Sequence, residues 1–430
     1  MNPIPLTVCF MPFAEKRVSL QTQKQDVVLA TSTRPCPACH SHECHYLHKM
    51  HFVLPETSPL PAHYDVAVCR RCGSGFADSE ARAADYDDHY RSFSKYEDPS
   101  VATGGGDEPM DRQRLEILAA FLSRHAPPGA RIADIGCGNG GLLKELRKNG
   151  FEDLTGFDPS RVCVEQIRAT GMNAYTIVLP AEHLWWSDHN EPSFDLIILS
   201  HVLEHVFDAQ AVLKSVLALL APGGKIYIEL PDPTEYDLQN FPPLYFFDPE
   251  HINHFGRGSL TYFAHALGLS IVEMGQKKIC LQNGVDYPAI FGLFETGMTA
   301  FEPGESLYSS LAKYVEESIE GVTQLRTHLL ALMGDKTPFV LWGAGSLAQR
   351  LITEPWFPLH SLLAVVDRDS KKQGLRFAGK LILSPEIGLQ NLPDNTLVIC
   401  AAAVTADQIK EDYIALGFAH PFHSITEGEH

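Results

Sequence analysis

Three groups of residues have the types and spacings to do chemistry. The first is a pair of knuckles, Cys36-Pro37-Ala38-Cys39 and Cys69-Arg70-Arg71-Cys72, separated by 29 residues. Each knuckle brings two thiolates within reach of one ion, and together they complete a tetrahedral all-sulfur site. Four thiolates leave no open position, so the expected metal is a structural zinc rather than a catalytic one. His40, His42, Cys44, His45, His48 and His51 lie nearby. Any of them could replace one ligand, although exposed or core positions are the plainer account. A loop-rich module with reduced, unbound cysteines is the alternative.

The second group is Ala133-Asp134-Ile135-Gly136-Cys137-Gly138-Asn139-Gly140-Gly141. An apolar entry precedes it and Leu142-Leu143-Lys144-Glu145-Leu146 follows, so it reads as strand, glycine turn, helix. That order puts backbone N–H groups at a helix N-terminus beside a strand end, where a ligand can approach the main chain. A tight turn with no ligand is the bland reading. The spacing Gly136-x-Gly138-x-Gly140-Gly141 is not that of a dinucleotide fingerprint. Asp158 stands 24 residues beyond Asp134 at the end of the next apolar run, where an acid can accept both hydroxyls of a ribose.

The third group is the segment Phe241 to Phe255, rich in proline, aromatics and proton-exchanging side chains: Asp248, Glu250, His251 and His254. The proline content argues against a plain strand. His201-x-x-Glu204-His205 also matches an inverted zinc-protease pattern, but its place directly after an apolar strand argues against that use.

The elements that must position these groups follow from periodicity. Leu115, Leu118, Phe121 and Leu122 mark an amphipathic helix. Strands and helices then alternate: strands near Ile132, Leu154–Asp158, Ala174–Val178, Leu196–Ser200 and Ile226–Leu230, with Ala221–Lys225 as the turn before the last. This alternation specifies a parallel α/β sheet. A ribbon of strands is expected from Val53-Leu54 and Tyr64–Val68. Tyr86 to Tyr96, with Tyr90 at its centre, either closes over a ligand or packs its tyrosines as a helix. Leu311, Val315, Val322, Leu325, Leu329 and Leu332 mark a helix of roughly seven turns, interrupted by Ser318. Beyond it, Gly343-Ala344-Gly345-Ser346-Leu347-Ala348 and Asp367 resemble a dinucleotide fingerprint, with further strands near Lys380–Leu383 and Leu397–Cys400. This unit either binds a nucleotide-bearing molecule or serves as support.

The expected fold class is α/β. A doubly wound Rossmann-like core is flanked by a small N-terminal zinc ribbon and a second, smaller C-terminal Rossmann-like domain. The divisions are an N-terminal extension (1–30), the zinc ribbon (31–97), a linker with Gly104-Gly105-Gly106 (98–109), the central domain (110–300), a connecting helix (301–336) and the last domain (337–430). With 34 basic against 53 acidic residues, the net charge of −19 argues against a nucleic-acid or anionic-membrane partner. No apolar run approaches the roughly 20 residues of a membrane helix. Met1–Ala30 lacks a basic start ahead of a continuous apolar run, so no signal peptide is read and the cytoplasm is expected.

Asp-Ile-Gly-Cys-Gly-Asn-Gly, the distal Asp158, Phe194-Asp195-Leu196-Ile197, His201-Val202-Leu203-Glu204-His205 and Leu220-Ala221-Pro222-Gly223-Gly224 resemble, in that order, the motifs of class I S-adenosylmethionine-dependent methyltransferases. The resemblance spans about Arg131 to Leu269. It implies that Asp134, Gly136 and Gly138 shape the methionine end of a cofactor site. It further implies that Asp158 binds the ribose, Ala181 and Glu182 lie near the adenine, and Ser200 and His201 line the floor near the sulfonium. Tyr90 joins this cofactor set. Methyl transfer needs an in-line nucleophile and, for some acceptors, a base. His251 is the candidate base, with Glu250 to orient it and His254 beside them.

Ribbon, core and last unit together resemble the bacterial sugar C-methyltransferases, from about Cys36 to Gly417. That likeness implies a nucleotide-linked ketosugar as small-molecule substrate. Only the Glu250-His251 pair of that family's aromatic-His-Glu-His segment is present. O- or N-methylation of another metabolite and a non-catalytic binding module remain as alternatives. The chain is expected as a monomer or a homodimer.

Overall fold

Apolar runs such as Leu196–Leu199, with no alternation to polar residues, must be covered on both faces, and they become the central strands of a sheet. The computed structural model describes residues 30–93, 109–180, 194–281, 285–298, 300, 304–334 and 336–425. Residues 1–29 of the N-terminal extension, residues 98–108 of the glycine linker and the expected adenine contacts Ala181 and Glu182 lie outside the described residues. The chain divides into two units. One holds residues 1–46, 67–235 and 252–310; the other holds 47–66, 236–251 and 311–430.

Strands β1 (Ala30–Thr31), β2 (Glu43–His51), β3 (His63–Cys69) and β4 (Gly75–Asp78) form the ribbon, followed by helix α1 (Ala83–Phe93). The strand expected at Val53-Leu54 is not there; β2 ends at His51. Leu54 precedes Pro55, which restricts its backbone, and the Val53 N–H donates to the Gln349 carbonyl instead of to a ribbon partner.

The core then runs α2 (Pro109–Ser123), β5 (Ile132–Ile135), α3 (Gly141–Lys148), β6 (Leu154–Asp158), α4 (Arg161–Ala169), β7 (Asn173–Thr176), β8 (Phe194–Ser200), α5 (Ala209–Leu217) and β9 (Leu220–Pro231). After β10 (Asn253–His254) come α6 (Arg257–Ala266), β11 (Leu269–Cys280) and β12 (Asp286–Thr296). The seven-stranded sheet is ordered β11-β12-β9-β8-β5-β6-β7. Its β5 to β9 pairs are parallel, while β12 runs antiparallel to both β9 and β11. This doubly wound α/β core agrees with the expected class. The expected turn at Ala221–Lys225 is absorbed into β9 as a bulge. Phe194 pairs with Leu220 but Leu196 with Lys225, so the surplus residues loop out at Gly223, where φ is +76°. The short β10 pairs with β4, Asn253 opposite Phe76 and His254 opposite Gly75.

Local signals set these helices. The Ser160 hydroxyl accepts the Cys163 N–H at the start of α4, and the Asp208 carboxylate accepts the Ala211 N–H at the start of α5. Each such cap contributes about 1 kcal/mol. In α3, Leu142, Leu143 and Leu146 are buried while Arg147 and Lys148 stay out and sit favourably at the helix C-terminus.

In the second unit, α7 (Tyr308–Met333) is the expected long helix. Ser318, which breaks its apolar stripe, is fully buried and accepts the Leu244 N–H at 3.1 Å. Phe241, Phe246 and Phe247 are buried, and Phe246 stacks on Tyr236 with ring centroids 3.8 Å apart. These three aromatics of the proline-rich segment are therefore core of this unit. The buried Arg350 guanidinium donates to the Leu244 and Phe247 carbonyls. The remaining elements are β13 (Phe339–Trp342), α8 (Ser346–Leu351), β14 (Leu362–Val366), β15 (Arg376–Phe377), β16 (Lys380–Leu383), α9 (Pro385–Gly388), β17 (Leu397–Cys400), α10 (Ala406–Ala415) and β18 (Phe422–Ser424). Their sheet is ordered β15-β16-β14-β13-β17-β18, parallel except for the β15–β16 pair. Among the described residues no helix is long and apolar enough to cross a membrane.

Candidate cofactor site and metal centre

Between β5 and α3 the chain turns with Gly136, Gly138 and Gly140 all at positive φ (71°, 50° and 74°), a region costly to any residue with a Cβ. A Cβ on Gly136 would also meet Val202 Cγ2 at 2.7 Å, whereas one on Gly138 would meet nothing within 4 Å. Gly138 is thus required by backbone conformation, and the space beside it is open. The Asp158 carboxylate ties the loop to the end of β6: Oδ2 accepts the Gly138 N–H at 2.9 Å and Oδ1 the Ser160 N–H at 2.8 Å.

Asp134 is almost fully buried, and burial followed by the nearby Asp158 charge raises its pKa to about 8, with Arg114 opposing. A buried carboxyl whose charge is opposed by a second carboxyl nearby suits a ligand bearing positive charge. The buried Asn139 amide has neither its nitrogen nor its oxygen hydrogen-bonded. An unsatisfied donor and acceptor beside open space and a buried acid pair fit a zwitterionic ligand such as the methionine end of S-adenosylmethionine.

Where β8 ends, Ser200 is half-buried and His201 adopts φ +57°. His201 Nδ1 lies 3.0 Å from Glu204 Oε1, and Nε2 lies 3.3 Å from Glu229 Oε1, an ion-pair contact off the hydrogen-bond direction. Burial lowers its pKa, but Glu204 and Glu229 outweigh that and lift it to about 8. Glu229 lies on β9 and Lys277, its ion-pair partner, on β11. The Tyr227 hydroxyl also donates to Glu229 Oε2, at 2.5 Å. Burial opposes the Glu229 charge, yet Lys277 and His201 hold its pKa well below the usual range.

Tyr90, on α1, has its hydroxyl 2.8 Å from His205 Nδ1. The remaining expected residues are divided between the chain's two units. Glu250 and His251 are half-buried in the second, and both donate their backbone N–H groups to Asp248 Oδ1, at 2.8 and 2.7 Å. His254, in the first, is buried in β10.

Arg114, His205, Glu229 and Lys277 were not legible as site residues. Glu229 sits in its strand as a single charge between Ile228 and Leu230, which is the one signal the sequence carried; Lys277, between Gln276 and Lys278, gave none. Their pairing depends on the antiparallel return of β11 and β12.

The four knuckle cysteines converge. Cys36 Sγ lies 3.5 Å from Cys72 Sγ, Cys39 Sγ lies 3.4 Å from Cys69 Sγ, and all four sulfurs are within 4.8 Å of one another. Tetrahedral bonds to zinc separate sulfurs by about 3.8 Å, so the spacing fits an ion and is far too long for a disulfide. Hydrogen bonds from Cys36, Cys39 and Cys72 hold the Cys69 thiol well below its usual pKa, the thiolate character a metal requires. The neighbouring groups have other partners: His40 Nε2 meets Asp208 at 3.0 Å, His42 Nδ1 meets the Ser32 carbonyl at 2.8 Å, and Cys44 is buried near the Ala30 carbonyl. The knuckles share a hydrophobic cluster with Ile135, Ile197, Val212 and Phe263, and the Gln210 N–H donates to the Pro37 carbonyl.

Residues 110–274 match the family model described as a methyltransferase domain. A ubiquinone biosynthesis O-methyltransferase of Xanthomonas axonopodis pv. citri is 35% identical over 119 residues, 27% of this chain and 47% of the relative. One from Bordetella avium is 31% identical over 123 residues, 28% of this chain and 48% of the relative. The chain thus spans about half the length of these curated relatives. A solved S-adenosylmethionine dependent methyltransferase from Mesorhizobium loti is similar at 19% identity, covering 44% of this chain and 99% of that one with a TM-score of 0.34. Over residues 110–274, this chain carries a methyltransferase domain.

Proposed function

We propose that this chain transfers a methyl group from S-adenosylmethionine to a small-molecule acceptor. The observation that carries this reading is the glycine loop with its two buried carboxyls inside the matched domain. S-adenosylmethionine, when bound, supplies a methyl already made electrophilic by its sulfonium. In this reading Asp134, Gly136 and Gly138 hold the methionine end, Asp158 the ribose, and Ala181 and Glu182 the adenine edge. Ser200 and His201 form the floor, and Tyr90, held by His205, covers the ligand.

The leading acceptor is a carbon beside the carbonyl of a nucleotide-linked sugar. His251 removes the proton from that carbon, whose freed electron pair forms the new carbon–methyl bond, and the sulfur keeps the pair of the bond that breaks. Glu250 orients His251, and the Asp248 carboxylate fixes the backbone of both. His254, buried in its strand, is assigned to the scaffold rather than to proton transfer. The support for a sugar acceptor is the order of ribbon, core and second Rossmann-like unit in the sequence. O-methylation is the second reading, favoured by the names of the relatives that align with the core. The Cys36, Cys39, Cys69 and Cys72 cluster is read as a structural zinc centre, on its sulfur spacing.

The test is methyl transfer from labelled S-adenosylmethionine to a panel of nucleotide ketosugars and phenols. In His251→Ala, turnover on a ketosugar falls at least about 100-fold, the usual worth of a general base, with cofactor affinity retained. Unchanged turnover would remove His251 from the mechanism, and turnover confined to phenols would replace the first reading with the second.

A further inference from the structure

Four ionisable side chains at the floor of the glycine loop form one buried cluster: Glu204, His201, Glu229 and Lys277. Glu204, Glu229 and Lys277 are almost fully buried, and the His201 side chain keeps 23% of its surface exposed. The His201 ring has a carboxylate oxygen at each nitrogen, 3.0 Å at Nδ1 and 3.3 Å at Nε2. A neutral imidazole could donate its one N–H to Glu204, but it would carry no charge to attract Glu229 at Nε2. With the ring doubly protonated and Lys277 on the far side of Glu229, two positive charges meet two negative ones and the cluster is neutral. Buried charges persist when balanced in this way.

We propose that Glu229 and Lys277 are positioning residues that hold His201 as a doubly protonated ring, and so fix the left-handed bend that carries Val202 against Gly136. The bend needs a fastening, because φ +57° is unfavourable for histidine. Its consequence is local: Val202 Cγ2 occupies the place a Cβ of residue 136 would take, so the bend forms the wall of the cofactor loop. A ring saturated with protons cannot serve as a base, which separates His201 from proton removal. Its raised pKa agrees with the geometry. The other groups facing the cluster are Tyr227 on β9, Tyr287 on β12, whose ring centroid is 6.1 Å from that of His201, Arg114 on α2, whose charge acts on Glu229 and Lys277, and His205, with a ring nitrogen within 4.8 Å of a Glu204 carboxylate oxygen.

The experiment is nitrogen NMR of histidine-labelled full-length chain, with the His201 signals identified by their loss in His201→Asn. In the wild type both ring nitrogens are protonated at pH 7, and the ring titrates above an ordinary histidine. Glu229→Gln lowers that midpoint, and Lys277→Met raises it, because Glu229 then serves His201 alone. A neutral wild-type ring at pH 7, or shifts of the same sign in both variants, overturns the proposal. Binding of S-adenosylhomocysteine gives a second reading. Glu229→Gln binds about tenfold more weakly than wild type at pH 7.5, where its ring is neutral. That ratio closes at pH 6, where the ring is charged again; a ratio independent of pH would mean general damage and overturn the proposal. The inference takes the floor of the methyltransferase site as given. Should the wild type fail to bind S-adenosylhomocysteine, the functional reading falls while the ring spectra still decide the cluster.

Discussion

The chain contains the same backbone device twice. After β5, the Gly136 N–H donates to the Phe157 carbonyl at 2.7 Å, and Asp158 Oδ2 accepts the Gly138 N–H at 2.9 Å. After β13, the Gly343 N–H donates to the Val366 carbonyl at 2.8 Å, and Asp367 Oδ2 accepts the Ala344 N–H at 2.8 Å. Even the second acceptor recurs: Asp158 Oδ1 takes the Ser160 N–H and Asp367 Oδ1 the Asp369 N–H. The frame belongs to the strand–turn–helix fold and says little by itself about a ligand. The differences lie around it. The first loop has a buried carboxyl, Asp134, two residues before its first glycine, where the second has the fully buried Leu341. The first has an unsatisfied Asn139 amide, while in the second Lys372 Nζ lies 3.1 Å from Asp367 Oδ2 and offsets its charge. Cationic-ligand chemistry is thus concentrated in the first loop.

The largest contrast is expected from the thiolate cluster. Native mass spectrometry should find one zinc per chain. Chelation should then strip amide-exchange protection from β5 to β12 and abolish S-adenosylhomocysteine binding, while β13, β14 and β17 stay protected. Structural zinc contributes on the order of 10 kcal/mol in small domains, more than a typical fold has to spare. Protection that survives in β5 to β12 after the metal is gone would show that the ion does not hold the core.

Next in size is a matched pair of substitutions. Asp158→Ala strands two loop N–H donors and removes the acid read as the ribose acceptor, for a loss of about 3 kcal/mol or roughly 100-fold in S-adenosylhomocysteine affinity. Asp367→Ala removes the equivalent acid and should change that affinity less than about twofold, its effect confined to stability. Calorimetric titration of both variants decides; equal losses would erase the distinction between the loops.

The smallest effect is a proton. Asp134 titrates near 8 without ligand, so at pH 7 it is largely protonated, and a cationic ligand must drive the proton off. The sign follows: a folded pKa raised above the unfolded one favours the free fold at low pH, so ligand affinity rises with pH up to about 8 and then levels. At pH 7 the release approaches one proton, read from binding heats in buffers of different ionisation enthalpy. Asp134→Asn should abolish the release, and a wild-type release of zero would remove Asp134 from the ligand's surroundings.

How far the sequence could be read depended on how local each feature is. Apolar runs without alternation marked the parallel strands, and glycine positions marked the loops, because burial and backbone sterics act within a few residues. The Cys-x-x-Cys spacing did the same for the knuckles, since two thiolates three positions apart already reach one ion. What escaped was long in range. The turn at Ala221–Lys225 became a bulge because β8 pairs with both sides of it. Ser318 looked like a defect in a helix until the Leu244 N–H was found on it. The segment around His251 was read for its proton-exchanging side chains, and tertiary packing made core of its Phe241, Phe246 and Phe247.

By itself, then, the sequence determined the order of strands and helices, the glycine loop with its acids, and the two paired-cysteine knuckles. Each is written in neighbouring residue types through sterics, burial and ligand spacing. Only the tertiary structure decided that His201 stands between Glu204 and Glu229, with Lys277 returning from β11 to balance the charge. It also decided that Lys372 covers the second acid, and that the fully buried Leu341 stands where the first loop has Asp134. Charges placed on distant strands acquire meaning only once sheet order brings them together, because the cost of burying each one is set by the partner it meets.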